Sequence, residues 1–434
     1  VVPDQLNKEV ILEIGRRFSL HFSSKTVVVG SDMRLTSPEL KESLISGLIS
    51  GGSDVIDIGL VSTPMLYFAV PFLKADAGIM VTASHNPLNY NGLKFCDGNA
   101  HPIFKENGLL KLLEEIAIGD KSSGVIKKYD IKSDYINFVK THLGGVKGSF
   151  ALDAMWGTNS LLIKDVFTGS DIKAEFISAE VDGNVPGYKS PNPLIKQNQD
   201  RVIGAIKDKG CDLGFMWDGD GDRLLVFDDK ARFVSPHIIS FLISDYLLKK
   251  NSGAAVVCDL RTSSMVRDLV EEKGGKYYQA KAGNPYVKDV MREVGAIFGA
   301  ETSGHYMFKE SNFAEDTILA TIFVIKAVES KGLKLSEIVD EMESKYFIMP
   351  ETNFRVEDSR AVFRGIENIF PEAEKDYLDG LTIRGTDWWA NIRSSNTEPL
   401  IRLNMEACSK KRLDEVFEKI SLFIDEIGGT RSDH

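Results

Sequence analysis

Cysteine is scarce in this chain. Four residues, Cys96, Cys211, Cys258 and Cys408, are scattered over 434 positions with no Cys-x-x-Cys pair. The scatter argues against a disulfide framework and fits a reduced, cytoplasmic protein. Long hydrophobic runs are missing too. None approaches the ~18 apolar residues of a membrane span, and no basic-then-apolar leader opens the chain, so a membrane partner is not expected. Positive charge is in deficit, at a net −11 with no long basic patch, which argues against a nucleic-acid partner. The deficit does not exclude an anionic small-molecule substrate, which needs cations only locally, inside a cleft. An initiating methionine is also lacking: the chain begins Val1-Val2-Pro3, and its natural start is expected to lie upstream.

What is present suffices for several cores. With 434 residues and 43% hydrophobic content, two to four domains are expected. Three stretches share one grammar. Residues 26–32, 149–153 and 254–259 read as strands, each followed by a polar turn with a helix-capping Ser or Thr and then a helix. Later in each stretch a second apolar strand, at 78–81, 213–217 and 296–299, ends in a polar loop at 82–87, 218–223 and 301–305. Strands alternating with helices imply parallel α/β units. The recurring loop placement implies three similar domains whose strand ends converge on one cleft. The C-terminal part differs, with strands expected at 352–357, 380–384, 388–393 and 400–405 and helices at 359–369 and 411–427. That order implies a smaller, mostly antiparallel α+β domain. The expected domains are 1–132, 133–233, 234–341 and 342–434.

The polar loops carry the chemistry. Thr82-Ala83-Ser84-His85-Asn86-Pro87 puts a serine at the end of a buried strand, where open α/β sheets place their ligands. His85 stands beside it, and Lys94 follows in Asn91-Gly92-Leu93-Lys94. A Ser-His pair taken alone is a polar turn; its weight comes from the other loops. Asp218-Gly219-Asp220-Gly221-Asp222-Arg223 alternates three carboxylates with small residues, so a tight loop can turn several oxygens onto one hard cation. It is not an EF-hand, because Arg223 and Asp229 stand where that motif needs glycine and glutamate. A solvated acidic turn is the plain alternative. In Gly299-Ala300-Glu301-Thr302-Ser303-Gly304-His305, Glu301 and Ser303 suit sugar hydroxyls and His305 suits a reacting oxygen, though taken alone the stretch reads as a plain loop. Arg393-Ser394-Ser395-Asn396-Thr397-Glu398-Pro399 joins an arginine to hydroxyl and amide groups, a credible phosphate cradle. A hairpin turn would explain the Ser, Asn and Pro but less readily Arg393. Lys281, in Lys281-Ala282-Gly283-Asn284, reads equally as a solvated surface lysine.

Four of these motifs together resemble those of the α-D-phosphohexomutases, the phosphomannomutases, phosphoglucomutases and their relatives, over nearly the whole chain. The resemblance implies three α/β domains with mixed sheets and a smaller fourth around a central cleft. It implies that Ser84 carries a phosphoryl group, supported by His85 and Lys94. Asp218, Asp220 and Asp222 would bind Mg²⁺, with the phosphate on Ser84 as a further ligand, and Arg223 would point at the transferring group. Glu301 and Ser303 would grip the sugar 3- and 4-hydroxyls, with His305 near the reacting end and Lys281 as a ligand contact. Arg393, Ser395, Asn396 and Thr397 would hold the phosphate that is not reacting. Asn396 matches the phosphomannomutase/phosphoglucomutase relatives, where phosphoglucosamine mutases typically have glycine. Asn284 departs from the usual histidine. The family's Tyr-Asp-Ile-Arg-Gly segment does not precede Val1, and Arg34 belongs to a different motif.

The implied reaction interconverts hexose 1-phosphate and hexose 6-phosphate, of glucose and/or mannose. Glucose 1,6-bisphosphate or mannose 1,6-bisphosphate would be intermediate and activator. A phosphoglucosamine mutase is the alternative within the family. A phosphate-ester hydrolase and a non-catalytic sugar-phosphate sensor are the alternatives outside it. The distal phosphate loop argues against the first, and the intact Ser84 and three aspartates against the second. Hexose phosphates are the expected partners, and a homodimer is left open.

Overall fold

In the computed structural model, which describes residues 1–114, 123–169, 171–395 and 399–432, the valine-rich stretch Thr26–Ser31 forms a central strand. Its side chains alternate between two cores. Val27 and Val29 pack under helices Lys8–Phe22 and Ser37–Ser50, while Val28 faces the opposite side. The two helices cross closely at Gly15 and Gly47. A Cβ on Gly47 would lie 2.0 Å from the Leu12 carbonyl oxygen. Parallel strands Asp54–Leu60 and Ala77–Val81 flank the central strand, and Leu93–Asp97 returns antiparallel beside Ala77–Val81.

The same arrangement recurs twice. Gly148–Asp153 lies between parallel Ile172–Ile177 and Leu213–Trp217, and the latter pairs antiparallel with Leu224–Phe227. Ala255–Asp259 lies between parallel Lys276–Ala280 and Phe298–Glu301, and the latter pairs antiparallel with His305–Phe308. In each unit the motif loop joins a parallel strand to its antiparallel return. One continuous apolar core, including Met80, Phe215 and Phe298, runs through all three units.

Two expectations are corrected. The strand expected at 296–299 is Phe298–Glu301. Glu301 pairs directly with His305 across a tight turn, which Gly304 closes at φ +89°, a value glycine adopts without strain. The helix expected after 149–153 shrinks to a 3₁₀ turn, Thr158–Leu161, and a single helical turn, Ile163–Val166. Phe167-Thr168-Gly169 follows, three poor helix formers in a row.

Strands from Phe347–Arg355 to Thr430–Ser432 form a six-stranded antiparallel sheet, packed with helices Ser359–Ile369 and Lys410–Glu426 around a separate core of Phe354, Val362, Leu403 and Ile420. The α+β expectation therefore holds. Among the described residues, no helix is long and apolar enough to cross a membrane.

Candidate functional site

The serine loop is held from below by one arginine. Arg34 is 1% exposed, and all five of its N–H donors find acceptors. Nη2 donates to the carbonyls of Ser84 (2.8 Å) and Asn86 (2.6 Å), and Nη1 to those of Pro87 (2.7 Å) and Tyr90 (3.1 Å). Nε donates to Asp32 Oδ2 at 3.2 Å, which also accepts from Thr82 Oγ1 at 2.8 Å. Ser84 itself has φ +51°, a left-handed conformation that costs a non-glycine residue free energy and persists only where the surroundings fix it. The Arg34 clamp and a 2.9 Å bond from Ser84 N to Thr82 Oγ1 do so.

The clamp aims the Ser84 hydroxyl across the boundary between the first two units. Ser84 Oγ donates to Asp218 Oδ2 at 2.9 Å and lies 3.3 Å from His85 Nδ1. Asp218, Asp220 and Asp222 are buried together, and one carboxylate oxygen from each lies within 4.8 Å of the others. Burial, then the Asp220 and Asp222 charges, push the Asp218 carboxyl up. Burial opposes ionisation of Asp222, but Lys94, His305 and Arg223 outweigh it and hold this carboxyl well below its ordinary range. Lys94 Nζ bridges Asp220 Oδ2 (2.6 Å) and Asp222 Oδ2 (2.5 Å). Asp220 Oδ1 and Asp222 Oδ1 are buried without hydrogen-bond partners among the described residues. Crowded carboxylates with orphaned oxygens fit a hard divalent cation such as Mg²⁺. Burial, then the neighbouring Arg223, lower His85 to about 4, so its ring is neutral at pH 7.

The third unit closes the group. His305 Nε2 lies 3.6 Å from Asp222 Oδ1, and its Nδ1 lies 3.0 Å from Glu301 Oε2 and 2.7 Å from Ser303 Oγ. Burial disfavours the charged ring, but Asp222 and Glu301 outweigh it and raise His305 to about 9. Glu301 Oε1 accepts from Arg261 Nη2 at 3.1 Å, and Arg261 is itself fixed by two 3.0 Å bonds to Asp259. Between the third and fourth units opens a cavity of about 770 Å³ lined in part by Arg261, Ser303, Tyr346, Glu351 and Asn404. On the fourth unit, Arg393 Nη2 donates to Glu351 Oε2 at 2.9 Å. Arg393 Nε is buried with no hydrogen-bond partner among the described residues.

Ser84, His85, Lys94, Asp218, Asp220, Asp222, Glu301, Ser303 and His305 thus form one connected cluster, with Arg223 joined through its backbone N–H to Asp218 Oδ1 at 3.1 Å. Arg393 and Ser395 lie on a separate wall. Asn396 and Thr397 lie outside the described residues. Lys281 stands apart, exposed beyond strand Lys276–Ala280, with its Nζ 5.9 Å from the Tyr286 ring centroid. Sequence reasoning missed Arg34, Thr63, Arg261 and Glu351. A signal existed for two of them: Asp32-Met33-Arg34 and Asp259-Leu260-Arg261 end equivalent strands, where the second unit has Asp153-Ala154-Met155. In all three the aspartate Oδ1 accepts from the backbone N–H two residues on.

Comparison with known proteins adds a lineage to this geometry. Models of Phosphoglucomutase/phosphomannomutase match as alpha/beta/alpha domains I, II and III over residues 1–120, 131–231 and 235–346, and as the C-terminal domain over 351–422. The chain is 34% identical over 416 residues to phosphohexose mutases of Xanthomonas campestris pv. campestris, covering 93% of this chain and 92% of the relative. It is also 34% identical over 429 residues to a phosphomannomutase of Methanocaldococcus jannaschii, covering 97% and 94%. A solved phosphoglucomutase/phosphomannomutase family protein of Burkholderia thailandensis superposes with a TM-score of 0.88 at 29% identity, covering 99% of this chain and 96% of the other.

Proposed function

The chain belongs to the phosphoglucomutase/phosphomannomutase family, and from that premise we propose that it is a mutase interconverting the 1- and 6-phosphates of glucose and mannose through a phosphoserine at Ser84. The observation that carries the reading is the 2.9 Å approach of the Ser84 hydroxyl to Asp218 in a buried three-carboxylate loop. Phospho-Ser84 gives its phosphoryl to the free hydroxyl of a bound hexose phosphate: the Ser84 O–P bond breaks, an O–P bond to the sugar forms, and the sugar proton leaves to a base. His305, near the reacting end, is the acid/base candidate; because Asp222 and Glu301 raise it to about 9, it holds a proton at pH 7 and would give it to the departing Ser84 oxygen as the sugar hydroxyl loses its own. The resulting hexose 1,6-bisphosphate turns around and returns the other phosphoryl to Ser84. Asp218, Asp220 and Asp222, with a phosphate oxygen on Ser84, would hold Mg²⁺, which when bound offsets charge on the transferring group. Lys94 and Arg223 add fixed positive charge there. Glu301 and Ser303 would bind the sugar hydroxyls, Lys281 would add a ligand contact, and Arg393, Ser395, Asn396 and Thr397 would hold the distal phosphate. The proposed domains are 1–132, 133–233, 234–341 and 342–434.

A coupled assay of hexose 1-phosphate conversion, with phosphate release followed in parallel, tests this reading. Glucose and mannose 1-phosphates are both expected to turn over, and glucosamine 1-phosphate less well, without net phosphate release. Glucose and mannose share equatorial 3- and 4-hydroxyls and differ at C2. A sugar that binds in two flipped orientations presents C2 to different surroundings each time, so tight selection there is hard to build. Stoichiometric phosphate release would make the protein a hydrolase. A preference above about tenfold for glucosamine, or 1.4 kcal/mol, would make it a phosphoglucosamine mutase.

Arg393→Ala should weaken productive binding of the distal phosphate and leave phosphorylation of Ser84 by the bisphosphate possible. Charge-assisted bonds from one guanidinium are worth about 1.5–3 kcal/mol each, so a loss on the order of a hundredfold in kcat/KM is expected. A loss below about threefold would put the phosphate elsewhere.

A further inference from the structure

The three carboxylates of the metal loop all lie on the second unit, yet one of them is oriented by the first. Thr63 opens helix Thr63–Phe72, which Ser62 caps by accepting from Met65 N at 3.3 Å. Thr63 and Asp220 are both 0% exposed. Thr63 Oγ1 donates to Asp220 Oδ2 at 2.6 Å, and Thr63 N donates to the Asp220 carbonyl at 2.9 Å. These two bonds fix both the backbone and the side chain of one residue. Lys94 Nζ donates to the same Oδ2 at 2.6 Å. A carboxylate oxygen offers two lone-pair sites, so Thr63 and Lys94 together occupy Oδ2. Asp220 Oδ1 is left buried and, among the described residues, without a hydrogen-bond partner.

We propose that Thr63 is a positioning residue that selects which oxygen of Asp220 faces the divalent cation, so that a residue of the first unit sets the metal affinity of the second. The inference rests on the reading of the Asp218 loop as a metal site. The first unit also carries Ser84, so one unit would position both the proposed phosphoryl carrier and the cation that serves it. Donors behind a ligand carboxylate typically account for about 10–100-fold in metal affinity. Without the hydroxyl, Asp220 can rotate, and Oδ1 loses its fixed aim.

The test is Mn²⁺ binding to the full chain, followed by the electron paramagnetic resonance signal of free Mn²⁺, with Asp220→Asn as reference. Thr63→Val keeps the shape and the backbone bond and loses the hydroxyl. Its Mn²⁺ Kd is expected to rise about 10–100-fold, while Thr63→Ser stays within about threefold of the parent. In an Asp220→Asn background, Thr63→Val should add nothing, because both changes act through one carboxylate. If valine prevents folding, Thr63→Ala takes the same measurements. Parent-like Mn²⁺ affinity in Thr63→Val, or fully additive effects with Asp220→Asn, would overturn the proposal. Failure of the parent itself to bind Mn²⁺ would remove the metal reading and this inference with it.

Discussion

Ser84→Ala is expected to lower kcat for hexose phosphate interconversion by at least about 10⁴-fold, the scale on which loss of a covalent nucleophile registers. The hydroxyl is the group that meets the metal loop, donating to Asp218 Oδ2 at 2.9 Å, and alanine removes it. The fold should survive the change. Arg34 grips the Ser84 carbonyl, not its side chain, and the Asn86, Pro87 and Tyr90 carbonyls besides. The loop therefore stays anchored when the hydroxyl is removed. Intact-protein mass spectrometry after incubation with glucose 1,6-bisphosphate should show one added phosphoryl on the parent and none on Ser84→Ala. Parent-like turnover by the alanine variant would sink the covalent mechanism and leave direct transfer between sugars as the alternative.

The proposed carrier and the metal loop lie 134 positions apart in sequence and 2.9 Å apart in space. Each loop was legible separately, because glycine and proline punctuate the ends of apolar strands. The convergence was legible only through the repeat: if three units share one topology, their equivalent loops fall at equivalent sheet ends. The register of the third loop was not legible. Ala296-Ile297-Phe298-Gly299 and Phe298-Gly299-Ala300-Glu301 are both mostly apolar and small, and the turn at Gly304 decides between them. Arg34, Thr63 and Arg261 were illegible for another reason. Arginine or threonine in a turn or helix start is ordinary, and its role comes from groups far off in sequence, such as Asp220 for Thr63. Only Arg34 and Arg261 left a trace, the Asp-x-Arg shared by two of the three repeats. Lys281 shows the opposite case, a motif position that the fold leaves exposed beside Tyr286.

The second large effect concerns the metal loop. Chelation with EDTA is expected to abolish turnover and Mg²⁺ to restore it, and Asp220→Asn should lower kcat on the order of 10²–10³-fold, since a cation supplies several kcal/mol of charge stabilisation to a phosphoryl transfer. An asparagine amide must either turn its NH₂ toward Lys94 and Thr63, setting donor against donor, or turn it toward the cation. Either choice removes one negative charge from the site. Lys94 is not stranded by the change, because Asp222 Oδ2 still accepts from it at 2.5 Å. The penalty of an unpaired buried charge is thereby avoided, and the melting temperature should fall far less than the turnover. Comparing thermal unfolding with kcat at saturating Mg²⁺ separates the two effects. Full activity in metal-stripped protein would refute the metal assignment, and Lys94 and Arg223 alone would then have to neutralise the transferring group.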